Sequence, residues 1–141
     1  MSHCFVQPYL FFGGRCEEAL EFYKSSIGAE VQMLLRYSDS PDPMPPGTLP
    51  AGYESKVMHT SFKVGSTFLL ASDGCGGNDT FGGFFLSLSL ATEAEVDCAF
   101  HALAAEGHVT MPLAKTFWSP RFGMLKDKFG MGWMVTVEAK A

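Results

Sequence analysis

Cys16-Glu17-Glu18-Ala19-Leu20-Glu21-Phe22-Tyr23-Lys24-Ser25-Ser26-Ile27-Gly28 sets apolar side chains at 16, 19, 20, 23 and 27. That spacing is the stripe of an amphipathic helix. Glu17, Glu18 and Glu21 stand in its first turns, where the macrodipole favours acids, and Gly28 supplies the stop. Further on, Val96, Ala99, Phe100, Leu103 and Ala104 draw the stripe again, behind a Thr92–Glu95 capping box and ahead of Gly107 as the predicted stop. A shift of 80 residues lays Cys16 on Val96, Ala19 on Ala99, Leu20 on Phe100 and Tyr23 on Leu103. The stop glycines differ by 79, so the repeat is structural and not literal.

Working outward, each helix has the same neighbours. Before the first, residues 5–12 form an apolar run in which Pro8 marks an edge strand or a bulge. Before the second, residues 84–90 alternate leucine with Ser87 and Ser89. A strand follows each helix, at 30–37 and 108–111, and then a hairpin. In the first hairpin, residues 56–64 alternate, Gly65-Ser66 fits a two-residue turn, and 67–72 return. The second spans 116–135, where Lys126-Asp127-Lys128-Phe129-Gly130 reads as a charged turn ending in a glycine of positive φ. Strand, helix, strand, hairpin, twice over, is an internal duplication. The predicted class is α+β, one domain over 1–141 made of a module at about 4–73 and another at about 84–138. Two loops interrupt the pattern. Residues 38–54 carry Pro41, Pro43, Pro45, Pro46 and Pro50, and read as a surface loop that is either a lid or a plain excursion. Residues 73–79 are glycine-rich.

Composition narrows the function class. Hydrophobic residues make up 47% and charged residues 18% of the 141, which gives a folded chain able to bury a core. A net charge of −5 argues against a general nucleic-acid or anionic-membrane surface. No apolar run approaches the ~20 residues that span a bilayer. The opening residues lack a basic stretch followed by an apolar one, and the four cysteines include no C-x-x-C pair. The expectation is a cytoplasmic protein with reduced thiols.

Several stretches together resemble a known family. They are Gln7-Pro8-Tyr9-Leu10-Phe11-Phe12 with Cys16 through Tyr23, Val57-Met58-His59, Ala71-Ser72-Asp73, Met111-Pro112-Leu113 with Thr116-Phe117-Trp118, and Arg121-Phe122-Gly123 through Asp127-Lys128-Phe129-Gly130 to Trp133. In this order they resemble the PhnB-like family of the vicinal oxygen chelate superfamily, which includes glyoxalase I, extradiol dioxygenases, and bleomycin- and fosfomycin-resistance proteins. The resemblance implies two βαβββ modules, each curling its sheet into a half-barrel around a cleft with the helices outside, and a homodimer. Relatives often carry the label 3-demethylubiquinone-9 3-methyltransferase. The glycines at 13–14 and 74–78 do not make the nucleotide-binding turn that would support that label.

Metal-using members of the superfamily draw carboxylates and imidazoles from equivalent strands. Gln7 (or Pro8) and Ser87 match on the first strands. Matching the hairpins through Gly65 and Gly130 places Leu69 and Met134 where glutamates would stand. Gln, Leu, Ser and Met make a poor divalent site, so no cofactor is predicted, although the superfamily's divalent metal stays possible. Strand alternation sets His59 with Ser61 and Lys63, and a neutral imidazole beside a cleft acts as general base or orienting donor. His59 is the catalytic candidate. The ligand-binding candidates are Gln7, Tyr9, His59, Ser87, Trp118, Arg121, Trp133 and Met134, with Arg121 as a clamp for an anion and the aromatics as stacking platforms. The first functional reading is metal-free binding of a small molecule between the modules. The others are a metal-dependent lyase, isomerase or dioxygenase with atypical ligands, an acid–base enzyme using His59, and a module with no ligand.

Overall fold

The structure is a computed structural model that describes residues 3–42, 44–76 and 80–138. Pro43 of the proline-rich loop and residues 77–79 of the glycine-rich loop lie outside the described residues. The chain divides into two compact units, Met1–Asp79 and Thr80–Ala141.

The first unit contains β1 (Tyr9–Phe11), α1 (Cys16–Ile27), β2 (Glu30–Arg36), β3 (Val57–Val64) and β4 (Thr67–Ser72). Its sheet has the order β1-β4-β3-β2, with β1 parallel to β4 and the other pairs antiparallel. The stripe of α1 is buried at Cys16, Ala19, Leu20 and Tyr23. The Tyr23 ring stacks near-parallel on Phe62 of β3 at 6.3 Å. One face of the sheet, carrying Leu10, Phe62, Leu69 and Ala71, is thereby covered, and each large aliphatic or aromatic side chain buried there contributes about 1.5–3 kcal/mol. Gly28 ends the helix in the left-handed region at φ 70°, as the sequence predicts.

The second unit repeats the plan: β5 (Leu86–Leu90), α2 (Glu93–Ala104), β6 (His108–Ala114), β7 (Phe122–Lys126) and β8 (Gly132–Val137). Its order is β5-β8-β7-β6, again with the first pair parallel. Val96, Ala99, Phe100 and Leu103 of α2 are buried. The Thr92 hydroxyl accepts the Glu95 N–H at 3.2 Å, the predicted cap. The fold is α+β, two βαβββ modules of the same topology.

Several bounds differ from the sequence expectation: β5 starts at 86 and not 84, the second hairpin's first strand starts at 122 and not 116, and three further differences have a physical reason. The first strand shortens from 5–12 to Tyr9–Phe11, because Pro8 has no N–H to donate. Its carbonyl still accepts Leu70 N–H at 3.0 Å, and Gln7 Nε2 is donated to the Phe68 carbonyl at 3.3 Å. Gly107 does not stop α2. The helix ends at Ala104, Glu106 takes the positive φ of 62°, and a Cβ on Gly107 would stand 2.2 Å from the Lys126 carbonyl oxygen. Gly107 is there for the close approach of two backbones. Finally, β6 runs on through Pro112, which an edge strand tolerates because no neighbour needs its missing N–H.

Candidate functional site

On the face of the first sheet turned away from α1, one residue from each strand lines up in register. Tyr9 of β1 stands beside Leu70 of β4, Leu70 beside Ser61 of β3, and Ser61 beside Met33 of β2. His59 lies two residues along β3 from Ser61, on the same side. The Tyr9 hydroxyl reaches across β4 to within 3.0 Å of His59 Nδ1, and the two rings lie 5.6 Å apart. Phe11 packs against Tyr9 at 5.0 Å. The face is apolar yet open: Tyr9, Phe11, Met33, Leu35 and Phe68 are each between 38% and 45% exposed. Scattered exposed apolar side chains mean little, whereas a set gathered on one sheet face is the kind of patch found at protein interfaces and ligand grooves.

The face continues into an open groove of about 590 Å³ lined by Phe5, Gln7, Ser61, Phe68 and Leu70 among others. Gln7, Tyr9 and His59, all candidates from the sequence, therefore come together on one surface. Phe11, Ser61, Phe68 and Leu70 join them. The signal for Ser61 was already present in its alternation with His59. Phe68 and Leu70 are reachable only through the register of β4.

The end of this sheet is held by Asp73, which is 1% exposed. One carboxylate oxygen accepts Gly14 N–H and Cys16 N–H, and the other accepts Val57 N–H, each at 2.8 Å. A carboxylate from beyond β4 thus caps α1. Beside it, burial pushes the Cys16 thiol up to about 12, with the Asp73 and Glu17 charges adding to the effect. Arg36 grips Glu17 at 2.6 Å and the Ser55 carbonyl at 2.8 Å, and this ion pair holds the Glu17 carboxyl below the usual range. Tyr37 donates its hydroxyl to the Gly74 carbonyl, and burial followed by the Cys75 thiol raises its pKa. Both ends of the proline-rich loop are pinned on the first unit.

In the second unit a row on the face away from the helix is Ser87, Met134, Met124 and Met111. Ser87 and Met134 are neighbours in it, on the face away from α2. This row corrects the sequence matching. Leu69 is buried on the α1 face, whereas Met134 lies on the face away from α2, so the two do not occupy matching positions. The turns explain the slip: Val64 pairs with Thr67 around two residues, whereas Lys126 pairs with Gly132 around five, so matching through the turn glycines inverts the faces.

Trp133 turns the other way from Met134, into the α2 face. It is 3% exposed and donates its ring N–H to Asp127 at 2.9 Å. Adjacent strand residues cannot share a face, so Trp133 does not line a surface with Met134. Arg121 Nε is donated to Asp97 of α2 at 2.7 Å. Trp118 lies in the loop before β7, 54% exposed, edge-on to Phe117 and to Phe122. His101 and His108 are exposed, and His101 Nδ1 lies 2.6 Å from the Asp97 carbonyl oxygen of its own helix.

The two rows also test the metal that the superfamily resemblance implies. Tyr9, Leu70, Ser61 and Met33 in one row, and Ser87, Met134, Met124 and Met111 in the other, contain neither carboxylate nor imidazole. His59 adds one nitrogen. Among the described residues no three of His, Cys, Asp and Glu stand together as donors. Neither row by itself offers the carboxylate and imidazole donors that a divalent centre uses.

The sequence profile described as 3-demethylubiquinone-9 3-methyltransferase matches residues 5–136. The chain belongs to that family. Protein YjdN of Escherichia coli K12 is 30% identical over 138 residues, 94% of each chain. Among solved structures, protein PA1353 from Pseudomonas aeruginosa is 38% identical with a TM-score of 0.84, covering 98% of this chain and all of that one. A Bacillus cereus protein described as a putative 3-demethylubiquinone-9 3-methyltransferase, PhnB protein, is 32% identical with a TM-score of 0.77, covering 94% and 98%. A glyoxylase/bleomycin resistance/dioxygenase domain from Frankia shares the fold at 16% identity and a TM-score of 0.62, covering 99% and 94%. The family and its fold group are those that the sequence motifs resemble. No described helix is long and apolar enough to cross a membrane.

Proposed function

We propose that this family member binds a small organic molecule on the open face of the first sheet, without a divalent metal. The observation that carries the reading is the Tyr9–His59 hydrogen bond of 3.0 Å, a polar pair set in an exposed aromatic and aliphatic surface. Apolar lining with a few fixed polar groups is the general make-up of ligand sites. The donor sets of the two rows support the metal-free part. We further propose a cytoplasmic setting and a homodimer, on the sequence grounds given above. The apolar residues exposed on edge strand β6, Val109 and Met111, favour the dimer.

The methyltransferase in the family's name is not part of this reading. Gly13 and Gly14 do lie in the turn between β1 and α1, but the N–H groups at that helix start are taken by Asp73. A cofactor phosphate or carboxylate there would meet a buried carboxylate. A second reading, acid–base turnover by His59, is favoured by the same hydrogen bond, which holds the ring in one orientation. Conversion of a bound compound that disappears in His59→Gln would establish it.

The test combines elemental analysis of the purified protein, titration with Mn²⁺, Ni²⁺ and Zn²⁺, and a thermal-shift screen of small organic compounds. The reading expects no stoichiometric metal, and hits whose shift vanishes in Leu70→Glu, which places a charge at the centre of the face. Stoichiometric metal, or hits indifferent to Leu70→Glu, would sink it.

A further inference from the structure

The Tyr9–His59 pair has a polarity, and that polarity selects a ligand class. A phenol O–H is a strong neutral donor, and an unprotonated imidazole nitrogen is a strong acceptor. The favoured arrangement across the 3.0 Å contact is therefore O–H···Nδ1, with Tyr9 donating. An imidazole that accepts at Nδ1 carries its proton on Nε2. The free ring nitrogen of His59 is then a donor. The Ser61 hydroxyl, two residues along β3, can donate as well, and one N–H of the Gln7 amide goes to the Phe68 carbonyl. Lys63 lies further along the same face with its Nζ 5.7 Å from the Phe68 ring centre, and the strand acid of this face, Glu30, stands opposite Lys63.

We infer that Tyr9 is a positioning residue that locks His59 as an Nε2–H donor, and that the ligand presents a carbonyl or carboxylate oxygen on an aromatic or aliphatic body. This rests on the binding reading above. The apolar body lies over Tyr9, Phe11 and Leu70, and its oxygen accepts from His59. A cationic or donor-only head group is rejected, because it leaves Nε2–H facing another donor in a partly dry site.

The experiment uses the full chain and four matched probes: 2-acetylnaphthalene, 2-naphthoate, 2-(aminomethyl)naphthalene and 2-methylnaphthalene. Long-range proton–nitrogen NMR on histidine-labelled protein reads the His59 tautomer near pH 8. The expected result is the Nε2–H form in the wild type and loss of that preference in Tyr9→Phe. The ketone and the carboxylate are expected to bind roughly fivefold to tenfold tighter than the methyl compound, and the amine no tighter than it. His59→Phe brings the four probes level, and His59→Gln, which keeps an N–H donor, restores part of the difference. The Nδ1–H tautomer, an amine that matches the ketone, or a preference that survives His59→Phe overturns the inference. Binding without discrimination overturns the inference alone, whereas no binding by any probe overturns the site reading and takes the inference with it.

Discussion

The buried carboxylate of Asp73 accepts the backbone N–H groups of Cys16 and Val57, each at 2.8 Å, and so ties the start of α1 to the start of β3. Removing it strands three N–H groups, including that of Gly14. Asp73→Ala is expected to destabilise the protein by roughly 3 kcal/mol in urea unfolding. Amide exchange at Gly14, Cys16 and Val57 is expected to speed up ahead of α2. Unchanged exchange at those three amides would contradict the capping role.

Cys16 gives a pH prediction. Its folded pKa of about 12 lies above the ordinary value of 9.0, so the unfolded thiol ionises first. The contribution to stability is complete below pH 9 and is lost as the pH rises towards 12. At pH 8 the exposed Cys4, Cys75 and Cys98 are expected to react readily with a disulfide reagent, and Cys16 only on unfolding. Counting fast thiols in native protein checks this: three are expected, and four would contradict the burial.

Gly123 of β7 lies under α2, where a Cβ would stand 2.7 Å from the Phe100 ring and 2.9 Å from Leu113. Gly123→Ala is expected to cost about 1–3 kcal/mol through overpacking. In combination with Phe100→Leu the cost is expected to fall below the sum of the two single changes. Strict additivity in a double-mutant cycle would show that the two positions do not press on each other.

The two tryptophans differ in environment. Trp133 is 3% exposed and bonded to Asp127, whereas Trp118 is 54% exposed. Trp118→Phe is expected to leave a blue-shifted emission that acrylamide quenches poorly. Strong quenching of that variant would contradict the placement of Trp133 in the helix layer.

What the sequence made legible follows from period and repeat. The stripes at 16–27 and 96–104 carried both helices, and the two copies carried the topology, because burying an amphipathic face on a four-stranded sheet leaves few arrangements. The site was partly legible. His59 and Ser61 follow from alternation within one strand. Leu70 does not, since its place beside Tyr9 depends on a parallel pairing between residues 61 apart. The turn of the second hairpin misled the matching of Leu69 to Met134, because it has five residues where the first has two, among them a buried aspartate that accepts Phe129 N–H and Met131 N–H. A charged turn and a structural carboxylate look alike in sequence.

The most direct measurement is an NMR titration of the full chain with 2-acetylnaphthalene, following backbone and side-chain shifts. The account predicts saturable changes centred on Tyr9, His59, Ser61, Phe68 and Leu70. Saturable changes centred elsewhere in the chain, or none at all, would contradict it.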